Sequence, residues 1–191
     1  YDHGCVQFGS FTLKSGKTSP VYLDLRRTVA DAGLLRMAAR AYERLLTPLT
    51  FDRLAAIPYA GLPIGTAVAL EMNRSLIYPR REVKSYGTGK AIEGVFKAGE
   101  TVAIIDDVIT NGASKVEALA PLSAAGLVVR DIVVLIDREQ GGAEELAAHG
   151  LRLHSVLNIT TLFEILKRRG RISAEQYAIV RAYLAEEGGR G

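Results

Sequence analysis

In LLRMAARAYERLL, residues Leu34–Leu46, apolar side chains return every three or four positions, with Arg36, Arg40, Glu43 and Arg44 set between them. That is the helical period, and it predicts an amphipathic helix. Downstream the pattern changes to short apolar runs. Leu54–Tyr59, Ser75–Arg80, Thr101–Asp106, Asp131–Asp137 and Leu151–Ile159 read as strands. Helical patterns fall between them at Gly65–Met72, Ser114–Ala125 and Ala143–Ala148. Strands alternating with helices predict an α/β domain with a mainly parallel sheet flanked by helices.

The two ends break that rhythm. FTLKSG and SPVYLDLRR, within residues 1–30, read as short strands around a turn at Ser15, Gly16 and Lys17. Near the C-terminus, Thr161 precedes Glu164 by three and Ser173 precedes Gln176 by three, the spacing of two capping boxes. Lys167–Gly170, KRRG, suits the end of the first of these helices, with cations at the negative pole and glycine at the left-handed cap. The expectation is one domain: an N-terminal hood segment over residues 1–30, an α/β core over 31–160 and C-terminal helices over 161–191. The two ends would pack together as a small cap over the sheet. Gly188–Gly191 reads as a frayed tail.

The candidate chemistry sits in TVAIIDDVITNGAS, Thr101–Ser114. A carboxylate is costly to desolvate, yet Asp106 and Asp107 close a strongly apolar strand. In a parallel sheet, ligands bind beyond the carboxyl ends of the strands. Thr110 to Ser114 lead into a helix, so their backbone N–H groups can converge on an anion. The hydroxyls of Thr110 and Ser114 add donors. Phosphate donors beside carboxylate acceptors for vicinal hydroxyls fit a sugar 5-phosphate better than a bare anion. Two other readings stand beside this one: a strand end that merely caps a helix, and a Mg²⁺ site of one or two carboxylates plus substrate oxygens.

Charge and composition narrow the classes. Of 191 residues, 48% are hydrophobic and 24% charged, with a net charge of +3, so the chain is globular and mildly basic. A single cysteine, Cys5, excludes an internal disulfide framework, and a reducing, cytoplasmic location is expected. No apolar run is long enough to span a bilayer, so no membrane partner is expected. The chain opens at Tyr1 without a leader-like segment, and this start reads as trimmed. His3, His149, His154 and Cys5 form no metal or catalytic set. GTGKA (Gly87–Ala91) lacks the upstream glycine and the following Ser/Thr of a Walker loop. Helix termination accounts for KRRGR (Lys167–Arg171), and no nucleic-acid partner is expected.

VAIIDDVITNGAS closely resembles the 5-phosphoribosyl 1-pyrophosphate (PRPP) signature of type I phosphoribosyltransferases. FGSFTLKSGKTSPVYLDLR (Phe8–Arg26), RREVKSYGTG (Arg80–Gly89) and VLIDREQGG (Val134–Gly142) resemble segments of orotate phosphoribosyltransferase. DREQGGAEELAAHGLRLHSV looks most like that part of bifunctional UMP synthases. The resemblance covers nearly the whole chain, in order. It implies the type I phosphoribosyltransferase fold, and transfer of the phosphoribosyl group from PRPP to orotate with Mg²⁺.

By that resemblance, Asp106 and Asp107 hold the ribose hydroxyls, while Val108, Ile109, Thr110, Asn111, Gly112, Ala113 and Ser114 wrap the 5-phosphate. Lys14 and Tyr59 also reach PRPP. Orotate would meet Tyr22, Leu23, Thr110 and the guanidinium of Arg138, whose planar fork suits a carboxylate. Arg80, Arg81, Lys84 and Tyr86 belong to a loop that closes over pyrophosphate; Arg80, Arg81 and Lys84 are the catalytic candidates, with Arg80 serving the neighbouring subunit of a homodimer. Mg²⁺ would be held mainly by PRPP oxygens, with no direct protein ligand. Three positions depart from the family pattern: Ala60 and Arg81 stand where lysine is frequent, and Tyr86 where histidine is. Transfer to another base, or PRPP sensing without turnover, are the alternative functions.

Overall fold

The computed structural model describes residues 1–12, 16–81 and 91–188. A hairpin of β1 (Val6–Thr12) and β2 (Thr18–Leu23) comes first, followed by a 3₁₀ turn at Leu25–Ala30 and α1 (Ala32–Leu46). Asp31 caps α1 by accepting the Leu34 N–H at 2.7 Å. The core then runs β3 (Arg53–Ala56), α2 (Gly61–Met72), β4 (Leu76–Pro79), β5 (Ile92–Glu93), β6 (Thr101–Ile109), α3 (Ala113–Ala124), β7 (Val128–Asp137), α4 (Gly142–Ala148) and β8 (Arg152–Asn158). Two helices close the chain, α5 (Ile159–Arg168) and α6 (Ala174–Gly188).

The strand order is β5-β4-β3-β6-β7-β8, parallel throughout except for β5. Side chains alternate across β6. Val102 and Ile104 enter one core with Leu119 and Leu122 of α3 and Leu146 of α4. Ala103 and Ile105 enter the opposite core with Ala39, Tyr42 and Leu46 of α1 and Ile64 and Val68 of α2. Burial on both faces explains why this strand reads as an unbroken apolar run.

From β3 the chain winds to one side of the sheet through α2, and from β6 it winds to the other through α3. The order reverses between β3 and β6, and a reversal opens a crevice at the strands' carboxyl ends. The loops after β3 and β6 meet there.

The N-terminal hairpin and the C-terminal helices share a third core. Cys5, Val6, Val21 and Leu25 pack with Ile136, Ile159, Phe163, Leu166 and Val180. The Phe8 ring meets Phe163 edge-on, with centroids 5.9 Å apart. Lys17 reaches Glu187 of α6 at 2.9 Å.

Several boundaries differ from the sequence reading: α2 begins at Gly61 rather than Gly65, β3 ends at Ala56 rather than Tyr59, and β7 begins at Val128 rather than Asp131. Strand β6 runs on to Ile109, because Val108 and Ile109 stay paired with Ile136 and Asp137 of β7. The acid pair therefore lies inside the strand's last stretch. Helix α5 starts at Ile159, straight out of β8, so its cap is Asn158, which accepts the Thr161 N–H at 2.8 Å. Thr161 sits in the first turn and caps nothing. The short β5 carried no sequence signal; its two residues are ordered by pairing antiparallel to β4. The second capping box is present: Ser173 and Gln176 exchange bonds of 2.9 and 3.0 Å.

Candidate active site at the end of the central strand

Asp106 is 4% exposed and held from several sides. Its Oδ2 pairs with the Lys115 ammonium, and its Oδ1 accepts the Asp107 N–H at 2.9 Å. Its backbone carbonyl accepts the Tyr42 hydroxyl at 2.6 Å from inside the α1 core. Gly61, the first residue of α2, is pressed against it; a Cβ there would stand 2.8 Å from the Ile105 carbonyl and 3.2 Å from Asp106 Oδ1. Only glycine lets α2 start that close.

Asp107 is more open than Asp106. Its Oδ1 accepts the Val108 N–H at 2.8 Å. Burial pushes its carboxyl up from 3.8 to about 6, helped by the charge of Asp106, while Lys115 pulls the other way. Burial also raises the Tyr42 hydroxyl well above its ordinary range, and both aspartates add to that.

Gly112, at φ 81°, turns the chain from β6 into α3, and Glu145 of α4 stacks against it. The carbonyl of Gly112 accepts the N–H groups of Lys115 and Val116 at 2.8 and 3.2 Å. The amides of Ala113 and Ser114 come before them, in the first turn, where α-helical N–H groups have no intrahelical acceptor. They are the donors an anion would find.

The acid pair, Ser114 and Lys115 line a cleft of about 570 Å³. Tyr59, Ala60, Arg80, Arg81, Asp106, Asp107, Ser114 and Lys115 all face it. Arg81 lies over the Tyr59 ring, 5.4 Å from its centroid, so a cation and an exposed aromatic share the mouth. Arg80 is paired with Glu93 of β5 and lines the cleft of its own chain.

Arg138 stands across the Thr110 turn. Its N–H donates to the Ile109 carbonyl at 3.0 Å. Next to it, Glu139 adopts φ 54° and accepts both the Thr160 N–H, at 3.0 Å, and the Thr160 hydroxyl. That clamp holds the turn to the start of α5. Arg138 Nε is buried with no partner among the described residues, beside a cavity of about 210 Å³. A buried guanidinium N–H without an acceptor is costly unless a ligand supplies one. A further hollow of about 730 Å³ lies against α4 and carries Asp137, Glu139, Glu144 and Glu145. Its charge has the wrong sign for anionic substrates.

Tyr59, Arg80, Arg81, Asp106, Asp107 and Ser114 thus meet in one cleft, and Arg138 in a second cavity. Leu23 packs into the hood core that also receives Val108. Tyr22 stacks on Phe11 at 5.4 Å and accepts a hydrogen bond from Arg26, so its described contacts lie within the hood. Lys14, Lys84 and Tyr86 lie outside the described residues. Lys115 and Tyr42 were not singled out from sequence, and Gly61 entered only as part of the loop after Tyr59. The available signal was Lys115 itself, a cation in a helix's first turn, where the dipole disfavours it.

A doubly wound sheet with an acid pair at its switch strand, a phosphate-type helix start beside it and a hood above defines a type I phosphoribosyltransferase. No protein-family model matches the chain. It is 44% identical over 182 residues, 95% of its length, to the "Bifunctional enzyme PyrF/PyrE" of Nostoc sp., covering 38% of that protein. It is 37% identical over 186 residues to the orotate phosphoribosyltransferase of Pyrobaculum aerophilum, covering 97% of this chain and 95% of that one. The solved UMP synthase of Leishmania donovani superposes with a TM-score of 0.90 at 46% identity, over 97% of this chain and 40% of that one. The chain therefore belongs to the orotate phosphoribosyltransferase family. It spans about two fifths of the length of the bifunctional relatives it matches.

Proposed function

We propose that the chain transfers the 5-phosphoribosyl group of PRPP to N1 of orotate, giving orotidine 5′-monophosphate and pyrophosphate in UMP biosynthesis. The observation that carries this is the juxtaposition of Asp106 and Asp107 with the α3 N-terminus, in a chain that aligns end to end with orotate phosphoribosyltransferases. The carboxylates accept from the ribose hydroxyls, and the amides of Ala113 and Ser114 donate to the 5-phosphate. The Arg138 Nε, without a partner among the described residues, supports a carboxylate-bearing base at the second cavity.

The C1–O bond to pyrophosphate breaks with its electron pair, N1–C1 forms, and the N1 proton leaves to solvent. Displacement at an anomeric centre develops oxocarbenium character. The protein then acts by position and electrostatics, with no side-chain nucleophile. Arg80 and Arg81 stand where the leaving charge grows, and Lys84 is assigned with them. Mg²⁺ is proposed as the counter-ion of pyrophosphate, held by PRPP oxygens, since this ion takes one or two carboxylates plus substrate phosphates and the cleft offers the Asp106–Asp107 pair. A cytoplasmic homodimer sharing the loop that follows Arg80 completes the reading. Sizing by light scattering, and activity regained on mixing two inactive loop variants, test the dimer.

The deciding assay is pyrophosphate release with PRPP, Mg²⁺ and orotate, run beside uracil and adenine. Orotate should turn over alone. Equal or greater turnover of adenine would move the chain to another base, and silence with all three would leave PRPP sensing.

A further inference from the structure

Lys115 occupies a position that neither helix stability nor packing explains. It is the third residue of α3, at the positive pole of the helix, where a second positive charge is unfavourable. It is also 8% exposed, and burying an ammonium is costly unless it is paired. Its partner is Asp106 Oδ2 at the end of β6. Asp106 and Asp107 are adjacent in the chain, and two carboxylates brought together without a cation resist ionising both.

We propose that Lys115 is a positioning residue of the sugar site: its ammonium fixes the Asp106 carboxylate at the cleft floor and supplies the charge that lets both adjacent carboxylates stand as acceptors for the ribose hydroxyls. The inference rests on the sugar-phosphate reading of the cleft. Lys115 also stands beside the Ser114 amide, so its charge adds to the positive field that receives the 5-phosphate.

The other charged and titratable groups around the pair are few among the described residues. Tyr42 comes from α1, Tyr59 from the loop after β3, Arg80 and Arg81 from the end of β4, and Glu117 from α3 itself. Arg80 is engaged by Glu93, and Arg81 lies over Tyr59. Lys115 is the cation in contact with Asp106, and its charge holds the Asp107 carboxyl below where burial alone would put it.

The test uses Lys115→Met, Lys115→Gln and Lys115→Arg in the full chain. Carboxyl titrations of Asp106 and Asp107 are followed by ¹³C NMR without ligand, and binding of PRPP with Mg²⁺ is measured across pH 5–8. In the Met and Gln variants the acidic titration, and the pH below which PRPP binding fails, should both move upward by roughly one to three pH units. The Arg variant should restore both. Folded Met and Gln variants with unmoved titrations would overturn the proposal. If both neutral variants unfold at pH 7 yet fold near pH 5, where the carboxyls are protonated, the charge role stands. Unfolding at every pH would assign Lys115 to packing and overturn it. The NMR arm needs no substrate, so a chain that titrates as described but releases no pyrophosphate with orotate would overturn the reaction and leave the role of Lys115 in place.

Discussion

Gly142→Ala tests whether the β7–α4 turn sets the shape of the loop proposed to hold the 5-phosphate. A Cβ built at Gly142 stands 2.5 Å from the Thr110 carbonyl oxygen, and 2.8 and 2.9 Å from Ile109 Cγ1 and Cδ1. Ile109 is fully buried, and the oxygen is backbone, so neither can swing aside cheaply. Gly142 opens α4 with no positive φ, so alanine brings no backbone strain and a propensity gain of up to ~1 kcal/mol. Overpacking costs about 1–3 kcal/mol. The net is a loss of about 1–2 kcal/mol, which in a domain of this size lowers Tm by roughly 2–8 °C. The strain falls on Thr110, where the phosphate loop begins. A displacement there of a fraction of an ångström should raise KM for PRPP on the order of tenfold, since ~1 Å of misplacement can cost a hundredfold. The control is Gly141→Ala. Gly141 has φ 84° and open space around its Cβ position, so alanine there should cost about 1 kcal/mol through conformation while leaving PRPP binding alone. Differential scanning fluorimetry and steady-state kinetics read both effects. If Gly142→Ala is as stable as the parent with an unchanged KM for PRPP, the coupling argued here is wrong.

The proposed role of Asp107 as a ribose acceptor predicts that PRPP binding depends on pH. With a folded-state value near 6 against 3.8 unfolded, the folded chain holds a proton the unfolded chain has lost between about pH 4 and 6. Stability should therefore fall as pH rises through that window, by at most about 3 kcal/mol. On that proposal PRPP requires the ionised acceptor, so its affinity should drop below pH 6; Asp107→Asn should bind weakly at every pH and lose this acid limb, and a limb that survives the substitution assigns it to another group. Tyr42→Phe deletes the bond to the Asp106 carbonyl and should cost about 1–3 kcal/mol, with a Tm lower by several degrees; an unchanged melting curve would show that the bond contributes nothing. Arg138→Ala should raise KM for orotate about ten- to a hundredfold, the worth of a charge-assisted pair, with KM for PRPP nearly unchanged. Equal losses on both substrates would remove Arg138 from the proposed orotate site.

The alternation of elements, the acid pair and the phosphate-type turn were legible because each depends on local pattern. A β6 buried on both faces must be apolar throughout, a parallel sheet must alternate with helices, and a turn into a helix at Gly112 must use a small residue at positive φ. None of those needs a distant partner to be recognised. The strand's true end did need one: Val108 and Ile109 stay in β6 because β7 offers Ile136 and Asp137 to pair with. Similarly, the α5 cap passed from Thr161 to Asn158 once β8 ran directly into the helix.

What the chain alone determined, then, was which elements form and that two acids stand at the end of the central strand beside a helix start. Folding decided how those residues are held. Lys115 reaches Asp106 across nine positions, Tyr42 reaches its carbonyl across sixty-four, and Gly61 and Gly142 matter through the backbone atoms their missing Cβ would strike. Contacts of this kind leave no periodicity in the sequence, because what selects each residue is the geometry of its neighbour in space.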